Sequence, residues 1–515
     1  MVKKIKRLWY EAGLQRQFVL LAVLYSVIAV LSILGSYAIG QITQNAVSLS
    51  WISVQNSMLV FVAVSFLSVV LLFWANLRSA RVSQDMSVKF KSKTVESLLT
   101  SKTEFYQSLE QGDIIGRING DIGAIVGAAT RFLIIVRNLI VLALLTLALW
   151  VLDIKLMFAF LVTIPFYFTL QAVIAKYSTP NIVPWREAMG KTNGLIQDLL
   201  NNRTTIKVFR LNNIAHDWLD EKLKKSANKG TIGIGKLYAL NLSLILLMVL
   251  PSLLMAIIGI QLISTGDLSL GTLVSAIFIS TLAVDAMGEL NNAMNNVPQL
   301  LASSERIFPI WDCEKQNDGI IKSYDSSEVA ISFQNVSFSY GPQEVLRNLS
   351  FDIKAGEKVG FVGTSGSGKS TLLRLITKLI EPTVGKIEIM GIDSQDWNNE
   401  ALRNVVSFVS QDTYLFNGSI YENLQLIDQS ITEEESEKLL SRVYLDGLIQ
   451  QNPDGIHLKI GENGSNLSGG QRQRLSIAQS LIRNTEIVLY DEVTSALDST
   501  SEAYVQKIID AIDSN

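Results

Sequence analysis

The chain has 515 residues, 48% of them hydrophobic and only 18% charged, with a formal net charge of −3 and a mean hydropathy of +0.30. That length gives room for two or three domains, and the apolar excess excludes an ordinary soluble protein. The small net charge, with no basic stripe interleaved with aromatics, argues against nucleic acid as a partner. One cysteine, Cys313, leaves no intrachain disulfide to form.

The apolar excess lies before Leu301. Stretches near Phe18–Ile39, Met58–Ala75, Phe132–Leu152, Leu156–Ala175, Leu237–Ile263 and Thr272–Leu290 are long enough to cross a bilayer, which takes about 20 apolar helical residues. They lack the amphipathic alternation of soluble helices, so six membrane spans are expected. Lys3, Lys4, Lys6 and Arg7 precede the first, Arg78 through Lys102 and Arg117 fill the second connection, and Lys176 through Lys236 punctuate the fourth. Residues 41–56 and 264–270 hold no lysine or arginine, and the third-to-fourth turn holds only Lys155. This bias predicts a multi-pass protein of the cytoplasmic membrane with both termini and the long loops in the cytoplasm. The first span lacks a small-residue cleavage site and a second follows at once, so it reads as retained.

Polar helix-forming segments, Arg78–Leu99 and Trp185–Asn201, extend the spans beyond the membrane. Ionisable residues within spans point to a transport path. Arg137 lies about 9 Å above the inner end of its span and Asp285 about 20 Å below the outer end of its own, which gives the two a shared depth. Arg137 and Asp285 are expected to pair or to line a wet inward-facing cavity, at a level that contacts substrate along with Asn138, Asn291 or Asn292. His216 and His457 are too few and too isolated for a metal site, and Trp74 and Trp150 suit an interfacial belt.

Hydrophobicity falls across Phe308–Glu328, which reads as a linker between a membrane domain at 1–307 and a second domain at 329–515. There, Lys358–Val362 reads as a short strand entering the loop Gly363-Thr364-Ser365-Gly366-Ser367-Gly368-Lys369-Ser370, with helical spacing from Thr371 to Ile380 behind it. The spacing turns backbone amides toward a polyphosphate, with Lys369 reaching the β and γ phosphates and Ser370 holding Mg²⁺. Ile487–Tyr490 is a buried-type strand ending in Asp491, suited to orient Mg²⁺, and Glu492, free to polarise an attacking water.

From Val336 onward the chain resembles the nucleotide-binding domain of ATP-binding-cassette (ABC) proteins. Gln111–Asp121, Thr205–Phe209, Gly266–Thr272 and Ser304–Phe308 resemble recurring phrases of six-span type IV ABC exporters, built as half-transporters. The resemblance implies a membrane α-helical six-span domain fused to an α/β P-loop ATPase, with coupling helices around Gly112–Asn119 and Leu211–His216. It implies that Tyr340 stacks on adenine, that Gly363, Thr364, Ser365, Gly366, Ser367, Gly368, Lys369, Ser370 and Thr371 hold ATP, and that Ser370, Gln411 and Asp491 hold Mg²⁺. Glu492, Lys369 and Gln411 would serve catalysis. Leu467–Gln471 match the family signature, whose Ser468, Gly469, Gly470 and Gln471 would bind ATP held by the opposite subunit, and Asp498 in Ser495–Asp498 would couple the two sites.

The implied function is ATP-driven export of an amphipathic drug, peptide or lipid by a homodimer or heterodimer in membrane lipid. An ATP-binding membrane regulator and an importer are the alternatives. The family carries a further strand and a histidine after the catalytic glutamate, and this chain stops at Asn515 before either. The expectation is therefore a C-terminally truncated ATPase domain, with an inactive half-transporter as a further alternative.

Overall fold

The computed structural model describes residues 2–294, 297–325, 327–364, 366–411, 413–494 and 499–511. They form two compact units, Met1–Glu96 with Gln111–Asp312, and Ser97–Glu110 with Cys313–Asn515.

The first unit is helical. It contains α1 (Val2–Ala12), α2 (Gln15–Val47) and α3 (Trp51–Thr100), the last continuing into the other unit. A short α4 (Thr103–Gln107) falls in the second unit, after which α5 (Gln111–Gly116), a π-helical turn (Arg117–Asp121), α6 (Ile122–Leu152), α7 (Ile154–Asn201), α8 (Arg203–Val208), α9 (Asn212–Ser264), α10 (Leu270–Met294) and α11 (Val297–Trp311) complete the first. Each apolar stretch read from the sequence lies inside one of these helices. Among the described residues five helical segments are long and apolar enough to span a membrane, and α9 adds the shorter apolar run Met248–Ser264. The helices outrun the bilayer: the 50 residues of α3 extend about 75 Å at the α-helical rise.

Local chemistry sets the turns and crossings. α6 stops where Asp153 turns extended and its carboxylate accepts hydrogen bonds from the amides of Lys155 and Leu156, capping α7. α2 and α10 cross where Gly40 meets Gly271; a Cβ on Gly40 would lie 2.2 Å from the Gly271 carbonyl oxygen, so only glycine permits that approach. One buried cluster joins Leu8, Phe18, Phe90, Ile122 and Trp311, and another joins Leu145, Phe160, Met255 and Ile279.

Polar contacts tie the segments flanking the first cluster. The Arg7 guanidinium donates to both Asp312 oxygens at 2.5 and 2.7 Å and lies 4.5 Å from the Phe308 ring centre. Lys93 pairs with Glu11 at 2.5 Å, and the Trp311 indole N–H donates to Thr94 Oγ1 at 2.8 Å. Arg306 bridges Asp113 and Asp121, joining α11 to α5 and the π-helical turn. α11 runs through Trp311, so the stretch read as linker begins as helix.

In the second unit, β1 (Val329–Tyr340), β2 (Gln343–Lys354), β3 (Val384–Ile389) and β4 (Ile392–Asp393) form an antiparallel sheet in the order β2-β1-β3-β4. β5 (Val406–Val409) pairs in parallel with β6 (Ile487–Tyr490). Helices α12 (Lys369–Ile376), α13 (Asn399–Val405), α14 (Ile420–Gln425), α15 (Glu433–Arg442), α16 (Asp446–Gln450), α17 (Gly469–Leu481) and α18 (Ser499–Ala511) complete it. α12 packs its leucines and Ile376 on the antiparallel sheet, and the helices after β5 bury a second core around Leu415, Leu440 and Leu475.

Two local expectations change. Lys358–Val362 is not a strand: no described strand pairs with it, and Val362 is 99% exposed. A ladder needs a partner for its backbone groups, and an apolar run alone does not supply one. The helix after the loop ends at Ile376 rather than Ile380, because Lys378 turns left-handed at φ +53.

Thr103 of α4 donates to the Leu379 carbonyl at 2.5 Å, and Ser101 bridges Lys315 as an antiparallel pair. The short helix docked in the nucleotide-loop unit is therefore Thr103–Gln107, whereas Gly112–Asn119 belongs to the helical unit. Leu211–His216 covers the start of α9, with α8 preceding it.

Candidate functional site

The loop Gly363–Ser370 closes on itself before α12. Ser367 N–H donates to the Thr364 carbonyl at 3.1 Å. Gly368 sits at φ +94, which favours glycine, and a Cβ there would also push on the Leu346 side chain at 2.6 Å. Lys369, first in α12, folds its ammonium back onto the carbonyls of Gly363 and Thr364 at 3.0 and 3.3 Å. Phosphate oxygens are stronger acceptors for such a cation, so these contacts are exchangeable. Thr371 is buried behind the loop. Ser365 lies outside the described residues.

β6 delivers two acids to the same place. Asp491 is buried, its N–H donates to the Val409 carbonyl at the end of β5, and its Oδ1 accepts from the Ser370 hydroxyl at 2.9 Å. Glu492 has φ +47, a left-handed conformation costing a non-glycine residue of order 1–3 kcal/mol. Its Oε1 lies 3.8 Å from Lys369 Nζ, and its Oε2 accepts from the Gln411 amide at 2.9 Å. Five polar side chains thus converge on one loop. The adjoining cleft, about 340 Å³, is walled by Val359, Phe361 and β6. Burial pushes the Tyr490 phenol up to about 12.

Tyr340 ends β1, half-buried and edge-on to Phe338, with a ring-centre distance of 4.7 Å. Ser468 caps α17 through a reciprocal box with Gln471: its hydroxyl accepts from the Gln471 N–H at 3.2 Å, and its own N–H donates to Gln471 Oε1 at 2.9 Å. That box leaves the Gly469 and Gly470 amides among the orphan donors of a helix start. No hydrogen bond or ion pair among the described residues joins this turn to the Lys369 loop. Asp498, with Ser495–Leu497, lies outside the described residues.

In the helical unit Arg137 pairs with Glu289, not with Asp285. Asn138, nearly fully buried, donates from Nδ2 to the same Glu289 oxygen at 3.0 Å, and the Arg137 guanidinium lies 5.1 Å from the Tyr25 ring centre. Asp285 is exposed, one helical turn before Glu289. Arg137 meets its acid one turn further along than expected, and α10 runs past Leu290 to Met294.

The family model described as the ABC transporter transmembrane region matches residues 18–287, and the one described as ABC transporter matches residues 346–495. The chain belongs to the ABC transporter family. A relative from Haemophilus influenzae, described as an ATP-dependent lipid A-core flippase, is 30% identical over 449 residues, covering 85% of this chain and 76% of that protein. A Francisella novicida protein of the same description is 28% identical over 441 residues, 84% of this chain and 74% of its own length. A bacterial Atm1-family ABC exporter solved with ATP bound has the same fold, with a TM-score of 0.82 at 24% identity over 97% of this chain and 89% of that one.

As an ABC transporter the chain is a nucleotide-binding membrane protein, an ATPase coupled to transport, with a helical transmembrane domain fused to its motor. Sequence reading missed Glu289 and the docking of Thr103. Glu289 carried a signal, since it stands four residues after Asp285 on the same helix face. The α4 contact carried none, because the Leu379 carbonyl that receives Thr103 is presented by backbone geometry.

Proposed function

We propose that this ABC transporter exports an amphipathic, lipid-like substrate across the cytoplasmic membrane as a dimer of half-transporters, both termini cytoplasmic. The convergence of Lys369, Ser370, Gln411, Asp491 and Glu492 is the observation that carries the motor's part. Lys369 leaves its loop carbonyls for the β and γ phosphates, and the loop amides from Gly363 to Thr371, Ser365 included, cradle them. Tyr340 stacks on the adenine. Glu492, held by Gln411, polarises the attacking water for in-line displacement.

The all-oxygen set of Ser370, Asp491 and Gln411 suits Mg²⁺, and the 2.9 Å contact between the first two already brings those donors together. Mg²⁺ bound there would neutralise phosphate charge. Ser468, Gly469, Gly470 and Gln471 act on the nucleotide of the partner half, a homodimer or heterodimer mate, and Asp498 links the two sites. Within the membrane, Arg137 and Asn138 with Glu289, rather than with Asp285, line the substrate path. The flippase descriptions of the relatives favour lipid over drug or peptide as cargo.

One observation favours a second reading, ATP binding with slow hydrolysis: the segment Lys358–Val362 beside the nucleotide loop lies outside every described strand, with Val362 99% exposed. Reconstitution into lipid vesicles separates the two. Export predicts ATP-dependent movement of a labelled anionic glycolipid between leaflets, abolished by Glu492→Gln. Nucleotide binding without lipid movement in either protein would sink the export reading.

A further inference from the structure

Beyond the apolar span of α7, this helix and α9 run side by side and form a groove of about 140 Å³ lined by Glu187, Ala188, Lys191, Lys222, Lys225 and Lys229. Four ammonium groups thus face one carboxylate. Lys222, Lys225 and Lys229 stand at i, i+3 and i+7 on one face of α9, and Lys191 approaches from α7. Among the described residues none of the four makes an ion pair, although Lys224, on another face of the same helix, pairs with Asp220 at 2.6 Å. The groove is held together from below: Trp185 of α7 packs on Gly230, where a Cβ would lie 2.9 Å from the indole nitrogen, and the Ser226 hydroxyl contacts the Met189 sulfur at 3.7 Å.

Like charges at this spacing destabilise a helix, and here they also repel across the α7/α9 seam. A fixed groove of uncompensated ammonium groups suits an anion with several charges, since each Lys is a compact cation with three donors. Depth narrows the choice. Lys191 lies about 25 Å along the helix beyond Ile174, where the described apolar span of α7 ends. The headgroup zone adds only about 5–8 Å to each side of the hydrocarbon, so an ordinary phospholipid phosphate does not reach it.

We propose that this groove is a binding site for a soluble, multiply phosphorylated anion, which bridges Lys191 to Lys222, Lys225 and Lys229 and clamps α7 to α9. The site rests on the proposed cytoplasmic placement of these arms only for its natural ligand; binding itself does not depend on it.

The test uses the full chain in nanodiscs of zwitterionic lipid, with saturating ADP to occupy the nucleotide loop, titrated with tripolyphosphate at low salt while the unfolding midpoint is read. The wild-type midpoint rises. The K191Q/K222Q/K225Q/K229Q variant binds at least about tenfold more weakly, a loss that added salt mimics, while the corresponding four Lys→Arg changes retain binding. Without anion the Gln variant unfolds at or above the wild-type midpoint, because repulsion is relieved, which excludes misfolding as the cause. Equal responses in the wild type and the Gln variant would overturn the site. Nanodiscs containing anionic phospholipid form the second arm: if that lipid alone raises the midpoint and tripolyphosphate adds nothing, the soluble anion is refuted in favour of a lipid headgroup.

Discussion

Replacing Glu289 by Gln tests the intramembrane ion pair directly. The change keeps the side chain's length and an oxygen for Asn138, whose Nδ2 lies 3.0 Å away, but removes the charge facing Arg137. The Arg137 side chain is 20% exposed and Glu289 50% exposed, and an arginine does not shed its proton. Orphaning a buried member of such a pair costs about 3–5 kcal/mol. The wetter Glu289 end lowers this, and about 2–3 kcal/mol is expected for Glu289→Gln. Arg137→Gln leaves the better-hydrated partner behind and costs less, about 1–2 kcal/mol. The double variant recovers part of the loss, with a coupling energy of about 1–2 kcal/mol. Asp285→Asn, one turn away and exposed, stays within about 0.5 kcal/mol of wild type. Equilibrium unfolding in mixed micelles, run as a double-mutant cycle with Asp285→Asn as control, gives all four numbers. Strict additivity of the two single changes, or an Asp285→Asn loss equal to that of Glu289→Gln, would refute the reasoning.

Glu492→Gln preserves the Gln411 contact and nucleotide affinity but lowers ATP hydrolysis about 10²–10³-fold, measured as phosphate release beside equilibrium nucleotide binding. Gly368→Ala forces a Cβ onto Leu346 at φ +94; a stability loss of about 1–3 kcal/mol and a rise in the Kd for ATP are expected from unfolding and titration. Thr103→Val deletes the hydroxyl donated to Leu379, costs about 1 kcal/mol, and reduces substrate stimulation of hydrolysis more than basal hydrolysis in the same reconstituted sample. Asp312 is held below the usual carboxylate range, chiefly by its hydrogen bonds to Arg7. The stabilisation is therefore present above the unfolded carboxyl pKa of about 4 and fades as pH falls through the lower folded value. An acid-unfolding series should show this loss in wild type and a flatter profile in Arg7→Gln.

Much of this molecule was legible because its loudest signals are local. Twenty-residue apolar runs have one stable solution in lipid, and the loop from Gly363 to Ser370 carries its own geometry in its glycines. Asp491 and Glu492 could be paired with that loop because a strand ending in acids has few other uses downstream of it. Asp285 and Glu289 were different. Each is an acid in an apolar helix, and choosing between them needed the contact across α6 and α10, which no spacing within either helix encodes. The run Lys358–Val362 has strand composition, yet a strand is a relation between two segments. Thr103 finds a carbonyl displayed by the left-handed turn at Lys378, a conformation that lysine does not announce.

The nucleotide-loop unit is not one contiguous piece of chain. Ser97–Glu110 is threaded into it ahead of some two hundred residues of membrane helix, through the Ser101–Lys315 bridge and Thr103 on Leu379. During synthesis this segment emerges long before the surface that receives it, and the closing loop must wait for most of the membrane helices. A fragment cut at Cys313 therefore loses a piece of its own surface, and its activity in isolation understates that of the intact chain.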